Sequence, residues 1–210
     1  MSITDGSGFG GGRGARSTGS RSAAPPHHDK PSKDAGHSGA VLTETISSDL
    51  FRATLAHWVS GVTVVTTTDA RGRSHGFTAS SFSSVSLDPP LVLVCLDNSA
   101  NCFDAFDTSD GFVVHLLARG QEELAGRFAS KGTDKFTGLE TERSARGLPL
   151  LPGALARLEC RTERRIPGGD HLILLGEVSF AEEHEGEPLV YYRRGFHRLD
   201  GVAPATSRAY

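Results

Sequence analysis

The stretch GFTASSFSSVSLDPPLVLVCLDNSANCF, residues 76–103, decides how this chain folds. Its first part gathers small hydroxyl side chains, Thr78, Ser80, Ser81, Ser83 and Ser84, ahead of the turn at Asp88-Pro89-Pro90. Leu91–Leu96 is then almost wholly apolar, the pattern of a fully buried strand. Asp97-Asn98-Ser99-Ala100-Asn101 ends that strand directly before a helix predicted over Cys102–Asp107. Ser, Asn and Asp at such a junction can cap the helix, whose free N–H groups and dipole also favour a phosphate. Two hydroxyl- and amide-rich segments around one buried strand predict a site for a phosphorylated ligand. Capping by Ser99 or Asn101 is the alternative role.

Upstream, Ser47 or Ser48 can cap a helix whose Leu50, Phe51, Leu55, Trp58 and Val59 fall near one face, with Gly61 ending it. Val62–Thr68 is β-branched throughout and reads as a strand, Asp69–Arg73 as a hairpin turn, and Ser74–Phe82 as the returning strand. Downstream come a strand at Phe112–Leu117 and a helix at Gln121–Ser130 with Leu124 and Phe128 inward. A loop at Arg143–Pro152 follows, then Leu155–Ile166, which alternates loosely with Leu158, Cys160, Thr162 and Arg164 on one side. Pro167-Gly168-Gly169-Asp170 turns into the apolar strand His171–Phe180, and Leu189–Leu199 is the last strand. Strands joined by short turns, with few helices, predict a mainly β antiparallel barrel rather than a doubly wound sheet.

The 210 residues suit one domain, and a net charge of −3 offers no field for nucleic acid or an anionic membrane. No apolar run approaches the roughly 20 residues of a spanning helix, and the N-terminus lacks the apolar core of a signal peptide. Three cysteines, Cys95, Cys102 and Cys160, without metal spacing, predict reduced thiols in a cytoplasm, with Cys95 a small core residue. Residues 1–44 carry almost nothing to bury and read as a disordered tail, followed by a domain over 45–200 and a short tail at 201–210. Gly6-Ser7-Gly8-Phe9-Gly10-Gly11 has dinucleotide-fingerprint spacing, but no strand precedes it and no helix follows.

Three further features stand out. Gly169-Asp170-His171 holds a histidine at a strand mouth. Arg127-Phe128-Ala129-Ser130-Lys131 ends a helix, where Phe128 is either core or a stacking ring. In Tyr191-Tyr192-Arg193-Arg194-Gly195-Phe196, strand alternation would put Tyr191 and Arg193 on one face and Tyr192 and Arg194 on the other. Such a face could take a planar phosphorylated ligand or a second subunit. No nucleophile elbow, zinc-protease helix, phosphate loop or metal-ligand spacing occurs.

In order, the segments Gly61–Thr66, Gly76–Phe82, Ser84-Val85-Ser86 with Pro89-Pro90, and Asn98–Phe103 match a known set. Arg127-Phe128-Ala129, Gly169-Asp170-His171 with Gly176-Glu177-Val178, and Tyr191–Phe196 complete it. From about Leu50 to Leu199 the chain resembles the flavin reductase-like family of FMN-binding split barrels, reductase components of two-component flavin monooxygenases. Residues 76–96 look especially like reductases of aromatic polyketide antibiotic pathways such as actinorhodin biosynthesis. Trp58-Val59-Ser60 departs from the family, where many members carry Pro-Thr or Pro-Ala before the glycine.

The resemblance implies an antiparallel Greek-key split barrel that binds FMN, with FAD the alternative, and oxidises NADH, with NADPH the alternative. It implies a homodimer that passes reduced flavin to a separate monooxygenase. Thr78, Ala79, Ser80 and Ser81 would line the ribityl chain and ring, with Cys95, Leu96, Asp97 and Cys102 beside them. Ser99 and Asn101, with N–H groups of their turn, would hold the phosphate, and Arg127, Phe128 and Ala129 would close the flavin site. His171, Tyr191, Tyr192 and Arg193 would face the nicotinamide. No acid, base or nucleophile need be present, since the flavin carries the electron chemistry. A reductase with permanently bound FMN and a flavin carrier without turnover are the competing readings.

Overall fold

The computed structural model describes residues 45–132 and 134–199; the expected tails, 1–44 and 201–210, lie outside the described residues. In chain order the elements are α1 (Ser48–Leu55), β1 (Ser60–Gly61), β2 (Thr63–Thr68), β3 (Ser74–Ala79), β4 (Ser83–Leu87) and β5 (Pro90–Asp97). There follow α2 (Phe103–Thr108), β6 (Gly111–Leu116), α3 (Glu122–Ala129), β7 (Glu142–Arg143) and β8 (Pro149–Leu150). The last are β9 (Ala156–Gly168), β10 (His171–Glu183), β11 (Val190–Tyr192) and β12 (Gly195–His197).

Seven strands form one antiparallel sheet in the order β3-β2-β6-β9-β10-β5-β4. The connection from β5 to β6 passes over β9 and β10, a Greek-key path. The sheet curls on itself: Phe77 and Ala79 of β3 share a core with Val92, Val94 and Leu96 of β5, although four strands separate them in the sheet. One bent stretch of chain makes the closure. β3 pairs with β2, from Thr63↔Ala79 to Thr68↔Ser74, whereas β4 pairs with β5, from Ser83↔Leu93 to Leu87↔Pro90. Where the chain changes partner, Ser81 Oγ accepts from Cys95 N–H at 2.9 Å and donates to Cys95 C=O at 3.3 Å. A side chain thus stands in for ladder bonds at the switch.

The β-branched run of β2 is buried on both faces, as its composition predicts. Val65 enters the barrel core, while Val64 joins Val62, Leu117, Ala125, Phe128, Leu151 and Leu189 in a second core outside it, under α3. His115 is fully buried beside that second core. Its Nδ1–H donates to Val64 C=O and its Nε2 accepts from Leu151 N–H, each at 3.0 Å. This neutral tautomer ties the loop before β9 to the barrel, and burial pushes the imidazole pKa down to about 4.

Several expectations need correction. β5 is not covered on both faces: Val92, Val94 and Leu96 are buried, while Leu91, Leu93 and Cys95 alternate outward and stay half-exposed. Cys95 is therefore wall rather than core. β4 was unexpected, because Ser83–Leu87 is hydroxyl-rich and largely exposed; its pairing comes from β5, not from its own pattern. The loop at 143–152 contains the β7–β8 hairpin. The last strand breaks into β11 and β12, since Arg193 and Arg194 adopt left-handed φ values and reverse the chain. Strand alternation therefore does not place those two arginines. α1 starts at the Ser47 cap, whose hydroxyl accepts from Leu50 N–H at 3.3 Å, but stops at Leu55. Among the described residues nothing buries it; Leu50, Phe51 and Leu55, with Trp58 and Val59 beyond its end, remain exposed there.

Candidate functional site

Just beyond the Ser81 switch, β3 and the end of β5 diverge, and a cleft opens between them. It is lined by Phe77 and Thr78 of β3, by Asp97, Ser99, Ala100 and Asn101, and by Phe128–Lys131 with Lys135.

The wall from α3 is fixed from below. Thr78 Oγ1 donates to Ala125 C=O at 2.6 Å. The buried Phe128 ring packs edge-on against Phe136 at 5.1 Å and covers Gly76 so closely that a Cβ there would sit 2.7 Å from Phe128 Cε1. After the helix the chain folds back: Asp134 accepts from Phe136 N–H at 2.9 Å and Thr137 Oγ1–H at 2.7 Å, and Arg127 donates to Thr137 C=O. This return brings Lys135 into the cleft. Its Nζ donates to Phe128 C=O at 2.7 Å and Gly76 C=O at 3.2 Å, and burial lowers its pKa. An ammonium has three protons, so one remains for a ligand.

The opposite wall is a tight turn. Asp97 Oδ1 accepts from Ser99 N–H at 2.7 Å, and Asp97 C=O from Ala100 N–H at 3.0 Å. Asn98 N–H donates to Asp170 C=O at 3.0 Å, and Phe103 N–H to Ala100 C=O at 2.9 Å. Four amides of the turn are thus engaged within the protein. The capping alternative fails, since the N-cap of α2 is Cys102 and no side chain bonds there. Burial works to raise the Asp97 carboxyl, but hydrogen bonds from Ser99 and the charges of His171 and Lys131 outweigh it and hold Asp97 below the usual range.

His171 borders this turn: it pairs with Asp97 across β10 and β5, and its Nδ1–H donates to Asp170 Oδ1 at 2.7 Å. A carboxylate can only accept, so the proton sits on Nδ1 and Nε2 carries a lone pair while the ring is neutral. Nε2 is buried and has no partner among the described residues.

Of the predicted flavin residues, Thr78, Asp97, Ser99, Asn101, Phe128 and Ala129 meet in the cleft. Ala79, Leu96 and Cys102 lie in the barrel core. Ser81 and Cys95 make the strand switch, and Ser80 lines a separate apolar pocket with Val62, Phe82, Leu116 and Leu189. Arg127 is turned to Thr137. Tyr191 and Tyr192 belong to the β1-β11-β12 sheet and Arg193 to the turn between β11 and β12, and none of the three is among the cleft's lining residues. Sequence reasoning missed Phe77, Ala100, Ser130, Lys131 and Lys135 as lining residues; the spacing of Lys131 and Lys135, four apart after a helix, was the available signal. Among the described residues no group of three or more His, Cys, Asp or Glu could hold a metal ion.

A barrel split at one strand crossing, with an anion-friendly cleft in the split, defines a flavin-binding class of fold. Residues 55–200 match the flavin reductase like domain, and the chain belongs to that family. It is 48% identical over 161 residues to the actinorhodin polyketide dimerase of Streptomyces coelicolor, covering 76% of this chain and 91% of that one. It is 41% identical to the NADH-dependent FMN reductase SmoA of Agrobacterium fabrum, covering 73% and 87%. Among solved structures, the NADH:FAD oxidoreductase of Streptomyces globisporus, bound to NAD and FAD fragments, superposes with a TM-score of 0.68 at 37% identity, covering 75% and 93%.

Proposed function

We propose that this chain is an NADH-dependent flavin reductase that supplies reduced flavin to a separate monooxygenase. The observation that carries this reading is the cleft at the barrel split, whose lining fits a flavin mononucleotide. Phe77, Ala100 and Ala129 offer apolar contact, while Ser99, Asn101, Lys131 and Lys135 give hydroxyl, amide and ammonium donors suited to a phosphate. When bound, flavin supplies the hydride chemistry, so the protein need only bind, orient and exclude water.

The residues divide that work. Lys135 and Lys131 hold the phosphate where the turn's engaged amides cannot. Phe128, locked by Gly76 and Phe136, keeps the cleft wall rigid. His171, oriented by Asp170, presents the Nε2 lone pair as an acceptor for the nicotinamide carboxamide. FMN is the preferred flavin, and Streptomyces coelicolor's actinorhodin relative supports a partner monooxygenase in an aromatic polyketide pathway. Residues 45–200 form the active unit, so removal of 1–44 leaves activity intact. The exposed apolar face of α1 with Trp58 and Val59 supports a homodimer. Among the described residues no helix is long and apolar enough to cross a membrane and all three cysteines are free, which supports a reducing cytoplasmic setting.

Steady-state NADH oxidation with FMN, FAD or riboflavin added tests the reading. Turnover that depends on free flavin supports it. Yellow protein that reduces an acceptor without added flavin makes FMN a resident group, and flavin binding without NADH turnover makes the chain a carrier.

A further inference from the structure

Lys135 reaches the cleft from a surface turn over residues 135–138, and the carboxylate just before it shapes that turn. Asp134 is exposed and is not among the cleft's lining residues. Its side chain accepts from Phe136 N–H at 2.9 Å and from Thr137 Oγ1–H at 2.7 Å, the local closure by which Asp mimics a backbone turn. The bond from Phe136 and then that from Thr137 hold the carboxyl below the usual range. Leu139 N–H completes the turn on Phe136 C=O at 3.0 Å, through Gly138 at a φ of 72°. From α3, Arg127 donates to Thr137 C=O. The two side chains at the start of the turn part company. Phe136 packs edge-on against Phe128 and, with Leu139, on the second core, whereas Lys135 enters the cleft.

Charge alone gives Asp134 the wrong sign for this place. A carboxylate beside an ammonium that holds a phosphate repels the ligand and weakens its binding. What it supplies is geometry. Lysine carries a point charge on a flexible stem, so its aim depends on where the backbone starts it. Only two carbonyls guide the Lys135 ammonium, that of Phe128 at 2.7 Å and that of Gly76 at 3.2 Å. Both bonds require the Cα of residue 135 to stay where the turn puts it.

We propose that Asp134 is a positioning residue for the flavin phosphate, closing the turn that aims the Lys135 ammonium into the cleft without touching the ligand. This rests on the flavin reductase reading and adds to it a residue that sets phosphate affinity from outside the cleft. The test is titration of the full chain with FMN and with riboflavin, which lacks the phosphate. Asp134→Ala should weaken FMN roughly fivefold to tenfold and riboflavin no more than about twofold, since two turn bonds are lost but none to the ring. Added to Lys135→Met, it should cost no more than a further factor of about two, because both changes act on one interaction. Asp134→Asn can keep the Phe136 bond and donate to Thr137 Oγ1, so FMN affinity should return to within about threefold of wild type. Thr137→Val removes one turn bond at an exposed position and should give an FMN-selective loss of about two- to threefold. That variant decides the matter if Asp134→Ala does not fold.

Unchanged FMN affinity in Asp134→Ala overturns the proposal, and so does tighter binding, which would leave the carboxylate only its charge. Equal losses for FMN and riboflavin, or losses that multiply in the double variant, overturn it by making the turn a general support of the fold. An Asp134→Asn variant no better than Asp134→Ala overturns it as well. A wild type that binds neither flavin overturns instead the reading on which this rests.

Discussion

His171 and Asp97 are direct partners across β10 and β5, so the histidine at the strand mouth stands beside a residue that lines the cleft without lining it itself. Its ring is oriented from the far side by Asp170, whose Oδ1 accepts from Nδ1–H at 2.7 Å.

Replacing His171 by Ala should slow reduction of pre-bound flavin on the order of 10- to 100-fold, since small errors of alignment are costly in hydride transfer. Asp170→Asn should produce a milder loss by releasing the tautomer. Stopped-flow reduction at varied NADH reads both, and unchanged kinetics at all concentrations would retire His171 as a site residue.

Lys135→Met should weaken FMN far more than riboflavin. A charge-assisted hydrogen bond is worth about 1.5–3 kcal/mol, or roughly 10- to 150-fold in affinity. Ser99→Ala with Asn101→Ala should act in the same direction. Equal weakening for both flavins would instead make Lys135 only the latch between Phe128 and Gly76.

Gly76→Ala places a Cβ 2.7 Å from Phe128 Cε1 and 2.9 Å from Val65 C=O. The ring can tilt but the backbone carbonyl cannot, so stability should fall by about 1–3 kcal/mol, with weaker flavin binding as the wall shifts. Urea unfolding and flavin titration measure the two effects, and a stable variant with normal affinity would show that the ring position is immaterial.

Acid should destabilise the protein through His115. Its folded pKa is pushed down to about 4, below the unfolded value near 6.5, so the unfolded chain takes up the proton first. Stability is therefore full above about pH 6.5 and falls as pH drops toward about 4, by roughly 2–4 kcal/mol from this group. His115→Gln removes the titration and should flatten that part of the pH profile. An unchanged slope would place the acid lability elsewhere.

Leu50→Glu with Phe51→Glu should leave a folded monomer, because neither side chain supports this chain's own core. Sedimentation at micromolar concentration checks it; an unaltered dimer would put the interface on another face.

The elements that the sequence disclosed are those whose burial comes from their own pattern. β2 is β-branched and inside on both faces, and the Asp69–Arg73 turn is fixed by one carboxylate that accepts the Arg71 and Arg73 N–H groups, each at 2.9 Å. Features created by tertiary partners stayed hidden. Ser83–Leu87 is a strand because β5 lies beside it, and Lys135 is a cleft residue because the chain after α3 turns back. The periodicity of α1 announced an apolar face without saying that nothing among the described residues buries it. Left-handed arginines have no sequence signal at all, so one predicted strand became a hairpin.

The single bent run through Ser81 serves as both the clasp of the barrel and the lip of the cleft. Length variation is therefore unequal along the chain. The exposed turn at Arg71 and Gly72 can absorb added residues, because its flanking strands stay paired. One residue added between Ala79 and Ser83 would displace Ser81 from Cys95 and invert which side chains face inward beyond it. Barrel and binding site would be lost together, so grafts and insertions belong at the hairpin tips and not at this bend.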